Sequence, residues 1–264
     1  MSRSIVEGVG PIHPFNEFLR VGSIPSVWCP GCGIGTVVNI FVQTIEKLKV
    51  DVEKLCVLSG IGCTGKIIDY LKFNSAHRVN GSVLQYASEL KLKNPDKKVV
   101  VFLNDVDFMM AGSDDLMNIG TKGMDVFVIY INNFIYYVLI EHRVLLKTPF
   151  MGTTTDVSSA SPFNIPHLAK SCGARYMARW TPLHVRRLMY SMRDALQQDG
   201  LSFVEVISPC LIYYASDGIV GRSFDRMKLF HDNAVIKHNE PIENLDIRFQ
   251  DKVIVGEFID EREK

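Results

Sequence analysis

Four of the six cysteines, Cys29, Cys32, Cys63 and Cys210, sit in segments that make chemical sense together. Cys29 and Cys32 lie in Trp28-Cys29-Pro30-Gly31-Cys32-Gly33, Cys63 in Gly60-Ile61-Gly62-Cys63-Thr64-Gly65, and Cys210 in Ser208-Pro209-Cys210. Each is flanked by glycine or proline, where side chains are small and backbone N–H groups can hydrogen-bond the sulfides of a cluster. Four such thiolates suit one iron–sulfur cluster, and a cluster implies electron transfer. Zinc is the competing metal, because a Cys-x-x-Cys pair with two further cysteines also binds it. Zinc ribbons usually bring a second closely spaced pair, whereas here the other two are single and far apart. A thioredoxin-like redox pair would use Cys29 and Cys32 and leave Cys63 and Cys210 unexplained. Cys56, in Leu55-Cys56-Val57-Leu58, and Cys172, in Ser171-Cys172-Gly173, read as small buried hydrophobes.

A second group pairs an acid with an amide. Asp105 and Asn133 stand 28 positions apart, each following an apolar run. In a parallel sheet that interval is one strand–helix–strand unit, so both side chains reach neighbouring strand ends. A carboxylate, an amide oxygen, a backbone carbonyl and diphosphate oxygens suit the octahedral oxygen shell of Mg²⁺. The plain alternative is that Asp105 and Asp107 cap the helix that follows and Asn132-Asn133 form an ordinary turn.

Placing these residues together requires strands that alternate with helices. Gly35 to Val50 carries apolar residues at helical spacing, and Leu55 to Ser59 is a short apolar run ending at glycine. The alternation repeats through strand Lys98 to Leu103, helix Met109 to Gly120 and strand Asp125 to Ile131, then strand Arg175 to Ala178, helix Pro182 to Gln198 and strand Leu201 to Ile207. Fully apolar strands separated by helices predict an α/β fold with a mostly parallel sheet covered on both faces. Ligands of such sheets collect at the carboxyl ends of the strands. Gly60 to Gly65, Asn104 to Asp107, Asn132 to Tyr136 and Ser208 to Cys210 all fall there.

The chain of 264 residues, 47% hydrophobic, is long enough to bury a large core. One α/β domain over 1–264 is expected, with extensions at about 1–27 and 222–264. Its 29 basic and 29 acidic residues balance, so neither nucleic acid nor a membrane surface is an implied partner. The first residues hold no apolar core of a signal peptide, and no apolar run reaches the roughly 18 residues of a membrane span. A cytoplasmic location is expected, and with it thiols or metal ligands in place of disulfides.

Taken in order, the cysteine segments, Ser59-Gly60-Ile61-Gly62-Cys63, the Asp105 segment, Asn132-Asn133-Phe134-Ile135-Tyr136 and Ser208-Pro209-Cys210 resemble the β subunit of 2-oxoacid:ferredoxin oxidoreductases. The resemblance runs from about His13-Pro14-Phe15 to about Val255-Gly256-Glu257-Phe258. It implies a thiamine-diphosphate-binding α/β fold and a [4Fe–4S] cluster on Cys29, Cys32, Cys63 and Cys210. Mg²⁺ would sit on Asp105, Asn133 and the Ile135 carbonyl, and Ile61, Gly62, Cys63 and Thr64 would lie along the cofactor with Val106, Asp107 and Tyr137 near its phosphates. The implied activity is oxidative decarboxylation of a 2-oxoacid, CoA-dependent in the family, with ferredoxin as acceptor. The implied partners are an α subunit, which supplies the activating glutamate, and γ/δ ferredoxin-like subunits. No general acid or base is therefore assigned in this chain. Lys66 and His77 are candidates to meet the substrate carboxylate, each against the reading of a surface or structural residue.

Departures from the family pattern gather on the diphosphate shell. Where Gly-Asp-Gly-Asp is usual the chain reads Asn104-Asp105-Val106-Asp107, where His-Gly-Arg is usual it reads Asn80-Gly81-Ser82, and a Gly-Met-Thr-Gly-Gly-Gln stretch is replaced by Tyr137-Val138-Leu139-Ile140-Glu141-His142. Two readings follow. Either thiamine diphosphate binds in an altered phosphate pocket, or this is a paralogue that kept cluster and fold and lost the cofactor. A third reading, from another class, is an assembly subunit with structural zinc.

Overall fold

Strands made of Val, Ile, Leu and Phe on both faces must be covered on both faces, and the sheet is built that way. The structure, a computed structural model, describes residues 14–20, 22, 26–77, 82–108, 113–135, 164–212, 223–247 and 252–262. Its strands are β1 (Leu55–Ser59), β2 (Asn74–His77), β3 (Lys98–Asn104), β4 (Val126–Asn132), β5 (Tyr176–Trp180), β6 (Ser202–Ile207), β7 (Ala234–Ile236) and β8 (Val253–Asp260). They form one eight-stranded sheet in the order β2-β1-β3-β4-β6-β5-β8-β7. The strands from β2 across to β5 all pair in parallel. β8 runs antiparallel to β5, with a register shift between Met177 and Ala178, and carries β7 parallel to itself. Residues beyond 222, expected as an extension, thus continue the sheet.

Alternation along each strand divides the core into two layers. Val57, Val100, Phe102, Ile129 and Val204 pack beneath α1 (Ile34–Leu48) and α5 (Val185–Gln197). Leu58, Val99, Val101, Val128 and Phe203 pack on the other side, with α2 (Val83–Lys93), α3 (Ser113–Thr121) and α4 (Ile165–Ser171). α6 (Ser223–Asp232) adds Phe230 to the first layer. α1 follows from Ile34, Val37, Val38, Phe41 and Ile45, whose spacing makes one buried stripe. The expected elements are present with shifted ends, and of the helix expected from Met109 the part described is Ser113–Thr121. No helix among the described residues is long and apolar enough to cross a membrane.

His184 precedes α5 and packs against the rings of Trp180 and His231, with centroids 5.5 and 4.5 Å away. Burial pushes its pKa from 6.5 down to about 4, and the nearby His231 and Arg187 charges push the same way. Between those values the unfolded chain binds a proton that the folded chain refuses, so stability falls as pH drops from 6.5 towards 4. The thermal midpoint should therefore fall over that window, and His184→Gln should flatten the dependence. An equally steep profile in the variant would contradict this assignment.

Candidate active site and cysteine centre

α1 returns to the sheet through β1, so its N-terminus lies at the carboxyl edge of the parallel strands. That places the Cys29–Cys32 loop beside the ends of β1 and β6. The tight turn closes with Cys32 N–H donating to the Cys29 carbonyl at 3.0 Å. Gly33 follows with φ of 85°, and a Cβ there would stand 2.5 Å from Pro182 and 2.8 Å from Ser208 Oγ, so both conformation and space call for glycine. Two cross-links bring the other cysteine loops in. The Trp28 indole N–H donates to the Cys63 carbonyl at 2.9 Å, and the Ser208 hydroxyl donates to the Cys32 carbonyl. Burial pushes the Cys32 thiol up to about 11, and the Cys29, Cys63 and Cys210 thiols add to the rise. Burial likewise raises Cys63, with Cys210 and Cys29 contributing. Among the described residues, however, no three His, Cys, Asp or Glu side chains are gathered closely enough to hold a single metal ion. Cys56 and Cys172 lie apart in the second core layer, 8% and 2% exposed.

The end of β3 carries Asp105, which is 2% exposed. Its Oδ1 accepts from the Tyr130 hydroxyl at 3.0 Å and from Asn133 N–H at 3.2 Å, and its Oδ2 accepts from Ile135 N–H at 2.7 Å. Asn133 turns its Nδ2 to the Ser208 carbonyl at 2.7 Å, which leaves Oδ1 as the amide acceptor. Three expected Mg²⁺ ligands, Asp105, Asn133 and Ile135, are thus in one hydrogen-bonded turn. A buried carboxylate and an amide oxygen on a fixed turn fit a hard divalent cation.

The phosphate side of the site differs from expectation. Asn104 Oδ1 accepts from Val106 N–H at 2.8 Å and Asp107 N–H at 3.1 Å, while its Nδ2 donates to Thr64 Oγ1 at 2.7 Å and the Ile61 carbonyl at 2.8 Å. The helical turn Asp105–Asp107 is thus capped from within, in part as the plain reading of these residues had it. Any ligand that takes those two N–H groups has to displace the Asn104 amide. Asp107 faces the other way, accepting from Ile61 N–H at 2.8 Å and Asn104 N–H at 3.3 Å. Burial pushes its carboxyl up to about 6 although both bonds pull it down. A Cβ on Gly60 would run into that carboxylate. Gly60→Ala should cost about 1–3 kcal/mol, as overpacking does, and lower the thermal midpoint accordingly; an unchanged midpoint would show that the loop yields freely.

The two substrate candidates separate. His77 ends β2 and packs against Gly65, where an added Cβ would be 2.9 Å from its ring. Lys66 pairs with Asp69 at 3.6 Å on the surface, both more than half exposed. Tyr137 and Asn80-Gly81 lie outside the described residues. Sequence reasoning passed over Tyr130, Arg179 and Glu205, and noted Asn104 only as a departure from the family pattern. The signal for Arg179 and Glu205 was one charge in each of two otherwise apolar strands, Tyr-Met-Ala-Arg-Trp and Ser-Phe-Val-Glu-Val-Ile.

A mostly parallel sheet that gathers Gly60–Gly65, Asp105 and Asn133 at the carboxyl ends of the adjacent strands β1, β3 and β4 is an α/β domain of the kind that binds its ligand at that edge. Residues 60–206 match the family described as thiamine pyrophosphate enzyme, C-terminal TPP binding domain. The 2-oxoglutarate synthase subunit KorB of Methanocaldococcus jannaschii is 34% identical over 252 residues, covering 94% of this chain and 93% of that protein. The Methanothermobacter marburgensis KorB subunit is 34% identical, with 94% and 87% covered. A β subunit of 2-oxoacid:ferredoxin oxidoreductase from Sulfolobus is 30% identical, with 70% and 62% covered. The chain belongs to the 2-oxoacid:ferredoxin oxidoreductase β-subunit family. The fold agrees with the solved 2-oxoglutarate:ferredoxin oxidoreductase of Magnetococcus marinus, with TM-score 0.75 over 93% of this chain and 84% of that one, at 20% identity.

Proposed function

We propose that this chain is the cofactor-holding, electron-carrying subunit of an enzyme that oxidatively decarboxylates 2-oxoglutarate to CO₂ and succinyl-CoA and reduces ferredoxin. One observation carries the reading. The turn that joins Asn133 and Ile135 to Asp105 also accepts, through the Asn133 carbonyl, the N–H of Cys210 at 3.1 Å. Cation donors and cysteines thus share one rigid edge, as electron removal next to a reacting carbon requires. When bound, Mg²⁺ with thiamine diphosphate supplies the nucleophilic carbon and a [4Fe–4S] cluster takes electrons singly.

Asp105, Asn133 and the Ile135 carbonyl would hold Mg²⁺, while Ile61 to Thr64 line the cofactor. Cys29, Cys32, Cys63 and Cys210 would hold the cluster, and Trp28 fixes the Cys63 backbone. His77, beside Gly65, is the better placed of the two groups proposed to meet the substrate carboxylate. The activating acid belongs to an α subunit in this reading, and γ/δ ferredoxin-like subunits pass electrons onward in a reducing cytoplasm.

The Asn104 cap favours a second reading, in which cluster and fold persist without the thiamine cofactor. Anaerobic purification of the complex separates the readings. A brown protein with about four irons and one thiamine diphosphate per protomer supports the first, irons without thiamine diphosphate the second, and a colourless zinc protein neither. Asn104→Gly together with Val106→Gly should tighten the binding of thiamine diphosphate with Mg²⁺.

A further inference from the structure

Arg179 on β5 and Glu205 on β6 are register partners in the middle of the sheet, and both side chains are 0% exposed. Arg179 Nε donates to Glu205 Oε2 at 2.6 Å, and Nη1 donates to the Leu245 carbonyl at 2.8 Å. Its Nη2 is buried without a hydrogen-bond partner among the described residues. An ion pair in this setting is a poor device for stability. Both charges lose their water, the two N–H groups of Nη2 are left over, and apolar residues of similar volume commonly serve as well or better.

What the pair does accomplish is orientation. A carboxylate only accepts, so Glu205 Oε1 takes the Asn132 side chain by its Nδ2, at 2.7 Å. The amide then has one possible direction, with Oδ1 accepting from Phe134 N–H at 3.3 Å. Phe134 is held at φ of 56°, a left-handed conformation a phenylalanine rarely adopts. From the turn so fixed, Asn133 and Ile135 point their N–H groups at Asp105, the Asn132 carbonyl accepts from Ser208 N–H at 2.9 Å, and the Asn133 carbonyl accepts from Cys210 N–H.

We propose that the Arg179–Glu205 pair is a positioning device that sets the Asn132 amide and thereby locks the cation site and the Cys210 loop into one geometry. Glu205 is a positioning residue, acting through Asn132 and not on any reacting atom. The cation part rests on Asp105 and Asn133 being metal ligands, as proposed above.

The test uses the full chain with Mn²⁺ as the probe, comparing wild type, Asp105→Asn and the double replacement Arg179→Met with Glu205→Leu, which leaves no orphan charge. Mn²⁺ titration is followed by electron paramagnetic resonance, thermal unfolding reports the fold, and amide hydrogen exchange is read at Phe134. Expected are an unfolding midpoint at or above wild type, Mn²⁺ affinity lower by roughly 10-fold to 100-fold, as for other outer-shell partners, and at least about 10-fold faster exchange at Phe134 as its lock is lost. Wild-type affinity together with unchanged exchange would overturn the proposal. If wild type and Asp105→Asn bind Mn²⁺ alike, the cation reading fails instead, and the exchange rate at Phe134 alone decides whether the lock exists. Should the double variant not fold, Arg179→Met with Glu205→Gln takes its place, since a glutamine freed of the arginine can present either oxygen or NH₂ to Asn132 and releases the amide without an orphan charge or a cavity at position 205.

Discussion

In Cys63→Ser, iron content and 2-oxoacid-dependent reduction of an acceptor should fall together by more than about 100-fold, beyond what loss of an outer-shell partner costs a metal site. Cys63 is the exposed member of the four, at the start of the Gly62–Gly65 turn. Its backbone is held from outside by Trp28, so a serine there keeps the loop and changes only the ligand atom. Cys56→Ser and Cys172→Ser put a hydroxyl into the second core layer, where neither thiol faces the other four. Those two variants should lose some thermal stability and keep their iron. Iron counts on anaerobically purified variants decide the matter, and a Cys63→Ser protein with full iron would remove this residue from the proposed centre.

The second large effect is expected at Asp105, where two substitutions separate chemistry from architecture. Asp105→Ala strips the acceptor from the Tyr130 hydroxyl and from the N–H groups of Asn133 and Ile135. Each buried donor left unpaired costs about 1–3 kcal/mol, so this variant should be destabilised by several kcal/mol. Asp105→Asn keeps the volume and one acceptor but removes the charge. With its oxygen kept on Tyr130 and Asn133 it forfeits the Ile135 N–H bond, so its midpoint should lie between those of wild type and Asp105→Ala, and Mg²⁺-dependent thiamine diphosphate binding and turnover should be lost. Calorimetric titration and thermal unfolding on both variants are the measurements. Retained cofactor binding in Asp105→Asn would take the cation off this carboxylate.

Much of this arrangement was legible because strand ends are. Leu55–Ser59 is a run of five fully buried residues stopped by glycine, and such a run can be read from the chain alone. Once β1, β3, β4 and β6 were read as parallel strands, the residues after each had to share an edge, which is why Cys63, Asp105, Asn133 and Cys210 could be grouped. The antiparallel course of β8 was not legible. Val253–Asp260 mixes buried and half-buried residues although it lies between β5 and β7, and its direction depends on the chain's route past β7 and on the irregularity between Met177 and Ala178. Asn104 was visible as a departure from the family's glycine, yet its effect depends on where the amide turns. An Asn followed three residues later by an acid at a helix start was the available capping signal. Tyr130 carried no such signal, since a tyrosine in a strand is ordinarily just core, and its bond to Asp105 exists only because β3 and β4 are neighbours.

The chain contains two tryptophans, Trp28 and Trp180. Trp180 is fully buried at the end of β5, with its ring N–H on Ser191 of α5. Trp28 instead hangs from the Cys63 carbonyl and lies 4.6 Å from the Tyr70 ring. The protein thus carries its own optical gauge with two separate scales. A cluster on the cysteines, as proposed above, would absorb where indole emits and dim Trp28, so its loss should brighten that emission before the change that follows global unfolding. A Trp180→Phe variant would leave that gauge reading one quantity, the state of the cysteine loops, in real time and without an added label.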